Sequence, residues 1–241
     1  GRIPVSHLFS ITCKYDPGNP VVLSCVESIR KHHPDSPIHV VDSASEDKSY
    51  YELVEAAGAS VQDINNSGLT TGNIWYTYEK YPDYDYYYFL HDSILVKDNL
   101  LDLLDSDVVA LRYFRSWNGI GWTPAEVPTG ENGFVYEETY NWANTQLLAK
   151  TTYRPEPSHK FAALFGPMLM CKRTVLDKLK AAGFDKVHPT TKRQSEAMER
   201  VWGMVLNMEG YDLSELSIQG YCYDPGYQET HRFEKIFLGR Q

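Results

Sequence analysis

YYYFLHDS, running from Tyr86 to Ser93, sets five aromatic or aliphatic side chains in a row and ends them on a polar triplet. A continuous apolar run bounded by polar turns is the pattern of a central strand covered on both faces, where the usual alternation of exposed and buried residues is lost. His91, Asp92 and Ser93 then stand at its carboxyl end.

Toward the N-terminus the same reasoning finds a first buried strand at HLFSITC, His7–Cys13. Asn19 offers a helix N-cap with Pro20 at the first helical position. Val21, Val22, Cys25, Val26 and Ile29 then recur at helical spacing, which predicts a helix that stops near His33-Pro34. A β-branched run over 38–41 predicts a second strand, followed by the polar DSASED of 42–47 and a helix over 49–57 closed by Gly58. A short strand over 60–64 leads through Asn65-Asn66-Ser67-Gly68 to a helix over 71–80.

Downstream, 108–113 reads as a strand and 115–157 as a long irregular region rich in Gly, Pro, Trp and Tyr. A loop of that length reads as functional, a lid or one wall of a site. Residues 165–171 predict another buried strand, 174–182 a helix ending at Gly183, and 195–208 a longer helix ending at Gly210. The alternation of strands and helices predicts an α/β fold with a mainly parallel sheet. Ligands of such sheets bind beyond the carboxyl ends of the strands.

The chain has 241 residues, 42% of them hydrophobic, enough for one substantial core and a single domain over 1–241. A formal charge of −9 argues against a general nucleic-acid binder, which needs clustered Lys and Arg. An anionic ligand must instead be held locally, by a metal or by backbone amides. Cys13, Cys25, Cys171 and Cys222 form no C-x-x-C pair, so neither a zinc site nor a dense disulfide scaffold is expected. No apolar run approaches the roughly 18 residues of a membrane span, and no leader pattern opens the sequence. The expectation is a soluble, cytoplasmic domain, or a piece of a longer chain that carries its targeting elsewhere. Eighteen tyrosines supply flat apolar faces with polar tips, suited to stacking on sugar rings or a nucleobase and equally to packing a core.

The triplet His91-Asp92-Ser93 carries the sharpest chemical signal. A carboxylate at a strand end can hold Mg²⁺ or Mn²⁺, and the metal neutralises a diphosphate leaving group. The competing reading is an Asx turn or helix cap leading into 94–104.

Several segments together resemble a known family. Residues 38–47, IHVVDSASED, resemble the second-strand motif of the inverting family 2 glycosyltransferases, in which a hydrophobic strand ends in D-x-x-S-x-D. Asn66-Ser67-Gly68 followed by Gly72-Asn73 resembles a loose form of that family's N-x-G-x-x-x-A-x-N segment. FLHDS sits where the family writes D-x-D, with His91 and Ser93 in place of the two acids and Asp92 as the remaining carboxylate. FGPMLMCKR, from Phe165 to Arg173, resembles the stretch near the acceptor site, and Glu209-Gly210-Tyr211 the closing A-G-Y. Counting back from Gly210, Glu199 falls where the family's catalytic aspartate stands.

The resemblance spans roughly Ser6 to Leu213 and implies a GT-A fold: a Rossmann-like, mainly parallel sheet flanked by helices, with a long irregular insertion. It implies a nucleotide-sugar half over 1–105 and an acceptor half over 106–241. The implied activity moves a sugar from a nucleotide-diphosphate donor to a hydroxyl of a glycan or glycoprotein, with inversion. Glu199 is the implied general base, with Glu196 one turn earlier as its alternative. Spacing agrees, because Met198, Val201, Trp202, Val205 and Met208 define an apolar helix face with Glu199 at its margin and Arg200 pointing away. A solvated helix start favoured by the dipole is the plain alternative for both acids. Thr12, Tyr15, Asp42, Ser43, Asn73, His91, Asp92 and Ser93 are the implied donor-binding residues, with Asp42 on the nucleoside. Asp92 and His231 are the implied ligands of Mn²⁺ or Mg²⁺, and Arg232, Lys235 or Arg240 would pair with phosphate oxygens.

Other classes fit less well. A dehydrogenase would show G-x-G-x-x-G after the first strand, which 14–19 does not provide, and no P-loop is present. A sugar nucleotidyltransferase would carry a Gly-rich basic loop at the same place. A non-catalytic carbohydrate-binding module remains an alternative, with Trp117, Trp122 or Trp142 as its stacking platform.

Overall fold

In the computed structural model, residues 5–65, 69–116, 148–154, 161–190, 192–222 and 232–236 are described. Strand β1 (His7–Cys13) leads to helix α1 (Val22–His32), β2 (Ile38–Asp42), α2 (Tyr51–Ala56), β3 (Ser60–Asp63), α3 (Leu69–Lys80) and β4 (Tyr86–His91). Then come β5 (Ile94–Val96), a 3₁₀ turn (Leu101–Asp105), β6 (Val108–Ala110) and β7 (Tyr113–Ser116). After a single helical turn at Leu148–Lys150 follow β8 (Phe161–Leu164), β9 (Leu169–Lys172), α4 (Arg173–Ala181), α5 (Lys192–Met208) and β10 (Phe233–Lys235).

The central sheet has six strands in the order β3-β2-β1-β4-β9-β6. The first four run parallel, and β9 lies antiparallel between β4 and β6. The expectation of an α/β protein with a mostly parallel sheet flanked by helices therefore holds.

β4 is buried on both faces, as its run of large apolar residues predicts. Tyr87 and Phe89 point into one core with Ile74 and Trp75 of α3, Val175 and Leu179 of α4, and Trp202 and Val205 of α5. Tyr86, Tyr88 and Leu90 point into the other, with Val22, Cys25, Val26 and Ile29 of α1 and Val54 of α2. Each such side chain, fully withdrawn from water, contributes about 1.5–3 kcal/mol.

Local departures from expectation have local causes. α1 starts at Val22 rather than Pro20, because Asp16 builds a turn first: its carboxylate accepts the Gly18 N–H at 2.9 Å and its carbonyl the Asn19 N–H at 2.9 Å. The run 108–113 is two strands. Leu111 and Arg112 turn the chain out of the main sheet, and β7 pairs with β8 in a separate ribbon. The segment 165–171 is a turn before it is a strand, because Gly166 adopts φ +113, a left-handed conformation that glycine tolerates. Arg200 does not point away: it is buried, with its guanidinium carbon 5.0 Å from the Phe114 ring centroid. From Ala197 to Leu206 helix α5 is buried except at Glu199, which keeps part of its surface in water. β5 and β10, which pair antiparallel, have no counterpart in the sequence reading. No helix among the described residues is long and apolar enough to cross a membrane.

Candidate functional site

The strand order 3-2-1-4 means that the winding of the sheet reverses between β1 and β4. At such a switch point the connections leave in opposite directions and open a crevice at the carboxyl ends of the strands. A cleft of about 420 Å³ lies there, lined by Thr12, Lys14, Tyr15, Asp16, Thr70, His91 and Asp92. The register sets Thr12 of β1 beside His91 of β4, and Cys13 beside Asp42 of β2.

Four of the sequence-predicted donor residues, Thr12, Tyr15, His91 and Asp92, thus reach the cleft itself. Asn73 stands behind it. Wholly buried on α3, its amide donates to the Thr12 hydroxyl at 2.6 Å, while its carbonyl oxygen accepts from Ser10 at 3.0 Å and Thr77 at 2.8 Å. Asn73 therefore positions Thr12.

Asp42 is also withdrawn from solvent. Its carboxylate accepts the Ser45 N–H at 2.7 Å, the Tyr50 hydroxyl at 2.9 Å and the Tyr51 hydroxyl at 2.8 Å. The Tyr50 ring lies 4.5 Å from that of Tyr15, whose N–H donates to the Ser45 hydroxyl at 2.8 Å. Asp42 thereby organises the wall that Tyr15 presents. Ser43 is buried too, with its N–H on the Cys13 carbonyl at 2.8 Å and its hydroxyl without a hydrogen-bond partner among the described residues. The Ser93 carbonyl accepts the Ile236 N–H at 2.8 Å, which ties the strand end to the C-terminal segment.

His91 is half-buried. Desolvation, helped by the positive charge of Lys235 and opposed by a hydrogen bond with the Gly166 backbone, lowers its pKa from 6.5 to about 4, so the ring is neutral at pH 7. Its Nε2 lies 2.7 Å from the Thr70 hydroxyl, which also reaches the Gly166 carbonyl at 3.3 Å. The Gly166 N–H in turn donates to Glu199 Oε2 at 2.8 Å. Glu199, on α5, is thus joined to the cleft wall through Gly166, Thr70 and His91, although it does not line the cleft. Burial raises its pKa above the ordinary carboxylate range, opposed by the Gly166 N–H and by the charges of Arg200 and Lys235. Glu196, one turn earlier, acts on it as a like charge.

Sequence reasoning missed Lys14, Asp16, Thr70 and the linking role of Gly166. Lys14 and Asp16 carry the signal of lying directly after a strand; Thr70 carries none, because only tertiary packing brings it to β4. His231, Asn66, Ser67, Gly68, Arg240, Trp117, Trp122 and Trp142 lie outside the described residues.

Among the described residues no three His, Cys, Asp or Glu side chains group to form a metal cage. Asp92 is half-buried at the cleft, with its N–H on the Thr12 carbonyl at 3.1 Å. Its charge contributes, after burial, to pushing up the Cys13 thiol pKa. One such carboxylate fits a hard cation of the kind that takes its other ligands from substrate phosphates and water. It does not fit a cation held by protein alone. Compared with known proteins, the sequence matches no family model and no curated protein.

Proposed function

We propose that this chain is a glycosyltransferase domain of the GT-A type, resembling the inverting family 2 enzymes, that transfers a sugar from a nucleotide-diphosphate donor to a hydroxyl of a glycan or glycoprotein. The observation that carries the reading is the convergence at the switch point. A cleft lined by Thr12, Tyr15, His91 and Asp92 is linked to a half-buried glutamate, Glu199, by three successive hydrogen bonds. Five segments far apart in sequence, carrying Thr12 and Tyr15, Thr70, His91 and Asp92, Gly166, and Glu199, supply these groups.

In this reading the donor lies at the carboxyl ends of β1 and β4, with Tyr15 as an aromatic wall. Mg²⁺ or Mn²⁺ beside Asp92 would supply charge neutralisation of the diphosphate. Glu199 takes the proton of the acceptor hydroxyl as its oxygen bonds to the anomeric carbon and the bond to the diphosphate oxygen breaks, which inverts the configuration. A carboxylate with a raised pKa is a stronger base than an exposed one, which suits that step. The neutral His91 and Thr70 hold the Gly166 turn against which Glu199 is oriented.

The test is a panel of UDP-, GDP- and dTDP-sugars with Mn²⁺, Mg²⁺ or EDTA, read by melting temperature and by slow donor hydrolysis. Binding to the folded state alone must raise the melting temperature. One nucleotide family is expected to stabilise the protein and to be hydrolysed, and Asp92→Ala to lose the hydrolysis. No shift with any donor would overturn the proposal in favour of a non-catalytic carbohydrate-binding module.

A further inference from the structure

Helix α3 serves two cavities with two faces. Thr70, Asn73 and Thr77 turn toward the β1–β4 cleft and β1, where they meet His91, Thr12 and Ser10 respectively. The outer face carries Gly72, Trp75, Tyr76 and Glu79, whose i, i+3, i+4, i+7 spacing sets them in one stripe. These four line an open groove of about 530 Å³, bounded on its other sides by Asn65 after β3 and by Asp185 and His188 after α4. It shares no lining residue with the β1–β4 cleft. Its volume falls within the range of ligand-binding pockets.

The lining is aromatic and oxygen-rich. Tyr76 is half-buried and held in place: its hydroxyl donates to the Gln62 side-chain oxygen at 2.7 Å, and its ring stacks toward His39 with centroids 5.9 Å apart. Helical side chains lean toward the N-terminus, so Tyr76 covers the turn where Gly72 offers no side chain. Trp75 lies deeper, 6% exposed and stacked on Trp202 with centroids 6.0 Å apart. Its indole Nε1 is buried without a hydrogen-bond partner among the described residues. Glu79 and Asp185 offer carboxylate oxygens, Asn65 an amide and His188 an imidazole. No Lys or Arg is among the described lining residues, while Lys180 pairs with Glu79 at 2.7 Å and feels the charge of Asp185. The groove therefore lacks both the cations that a phosphate needs and the net negative field that would select a cation. Rings beside oxygen acceptors suit a neutral ligand rich in hydroxyls.

We propose that this groove is a second, separate carbohydrate site, which stacks a sugar ring of a glycan on Tyr76 and accepts hydrogen bonds from its hydroxyls at Asp185 and Glu79. The glycan class follows the acceptor of the function proposed above, on which the inference to that extent rests. The site anchors a glycan away from the place of transfer.

The experiment titrates isotope-labelled protein with cellobiose, maltose, lactose, α-mannobiose and N,N′-diacetylchitobiose. It follows by NMR the indole N–H resonance of Trp75, identified by its loss in Trp75→Phe. Binding of UDP, GDP and dTDP is measured in parallel by melting temperature. At least one disaccharide is expected to move the Trp75 resonance saturably. Asp185→Ala, at a partly exposed position, is expected to weaken that binding roughly three- to tenfold, the worth of one hydrogen bond, and to leave the nucleotide response unchanged. Tyr76→Phe should keep the binding and Tyr76→Leu lose it, because the ring rather than the hydroxyl meets the sugar. Silence toward every disaccharide overturns the proposal. Equal affinity in wild type and Asp185→Ala does so too, as does a response to trilysine in place of the sugars, which would make the groove a site for basic peptides. If Tyr76→Leu misfolds, wild type, Asp185→Ala and Tyr76→Phe still decide the matter. Nucleotide binding without a disaccharide response sinks this inference and leaves the transferase reading standing; a disaccharide response without nucleotide binding keeps the sugar site and removes the transferase.

Discussion

Glu199 carries a folding cost that, in the proposed transfer, goes with its role as the base. Burial disfavours its ionised form, so its folded pKa lies above the unfolded one. A carboxyl shifted that way is most favourable to folding below its unfolded pKa, and the contribution is lost as pH rises through the folded pKa. Glu199→Gln keeps an oxygen for the Gly166 N–H and removes a charge that is poorly solvated in the folded state. The variant is therefore expected to melt higher than wild type at pH 7 and equally at pH 4, while turnover falls roughly 10²- to 10⁴-fold with donor affinity kept. Parallel melting curves and a donor titration check it; a variant that melts lower at pH 7 would mean that the ion is stabilised by its surroundings. Glu199 was legible in the sequence through helix spacing and the family resemblance. Its partner Gly166 was not, because a backbone N–H is the same in every residue until the fold aims it.

Helix α5 is held against β8 at a distance that only glycine permits. A Cβ on Gly203 would collide with the Ala162 carbonyl oxygen and come within 2.6 Å of the Ala163 Cα. Both obstacles are backbone, so neither can swing aside. Gly203→Ala gains at most about 1 kcal/mol of helix propensity. The overlap costs about 1–3 kcal/mol. The net expectation is a destabilised protein, measured by urea denaturation. Gly203 lies one turn after Glu199 on the same helix, so turnover should fall more than donor affinity as the carboxylate is lifted from Gly166. The opposite anchoring is seen on α3, where the Trp202 indole donates to Thr71 at 3.0 Å and Asn73 binds β1 through Thr12 and Ser10. The helical spacing of α3 and α5 was readable in the chain; the contact between their faces was not, since 131 residues separate Thr71 from Trp202.

Across the whole molecule, acid should loosen the fold well before its carboxylates are all protonated. His33, His39 and His91 each have a pKa lowered from 6.5 to about 4, with burial as the leading cause. In His33 the Nε2 lies 3.1 Å from the donating Leu100 N–H, so protonation there also breaks a hydrogen bond. A depressed histidine favours the folded state fully above about 6.5, and the advantage is lost as pH falls toward about 4. The urea midpoint is accordingly expected to drop between pH 7 and pH 5, and His39→Gln to show a shallower drop; a flat profile would show that these rings stay hydrated. At this scale the sequence by itself determined the strand and helix alternation, the doubly buried β4, and the placing of Thr12, Asp42 and His91-Asp92 at strand ends, because periodicity and turn chemistry are local. Tertiary structure alone decided the antiparallel insertion of β9, the pairing of β5 with β10, the sequestration of Asp42 by Tyr50 and Tyr51, and the path from Glu199 through Gly166 and Thr70 to His91. Each of these depends on which distant backbone groups and side chains meet, and closing long loops to bring them together is a property of the packed core rather than of any one segment.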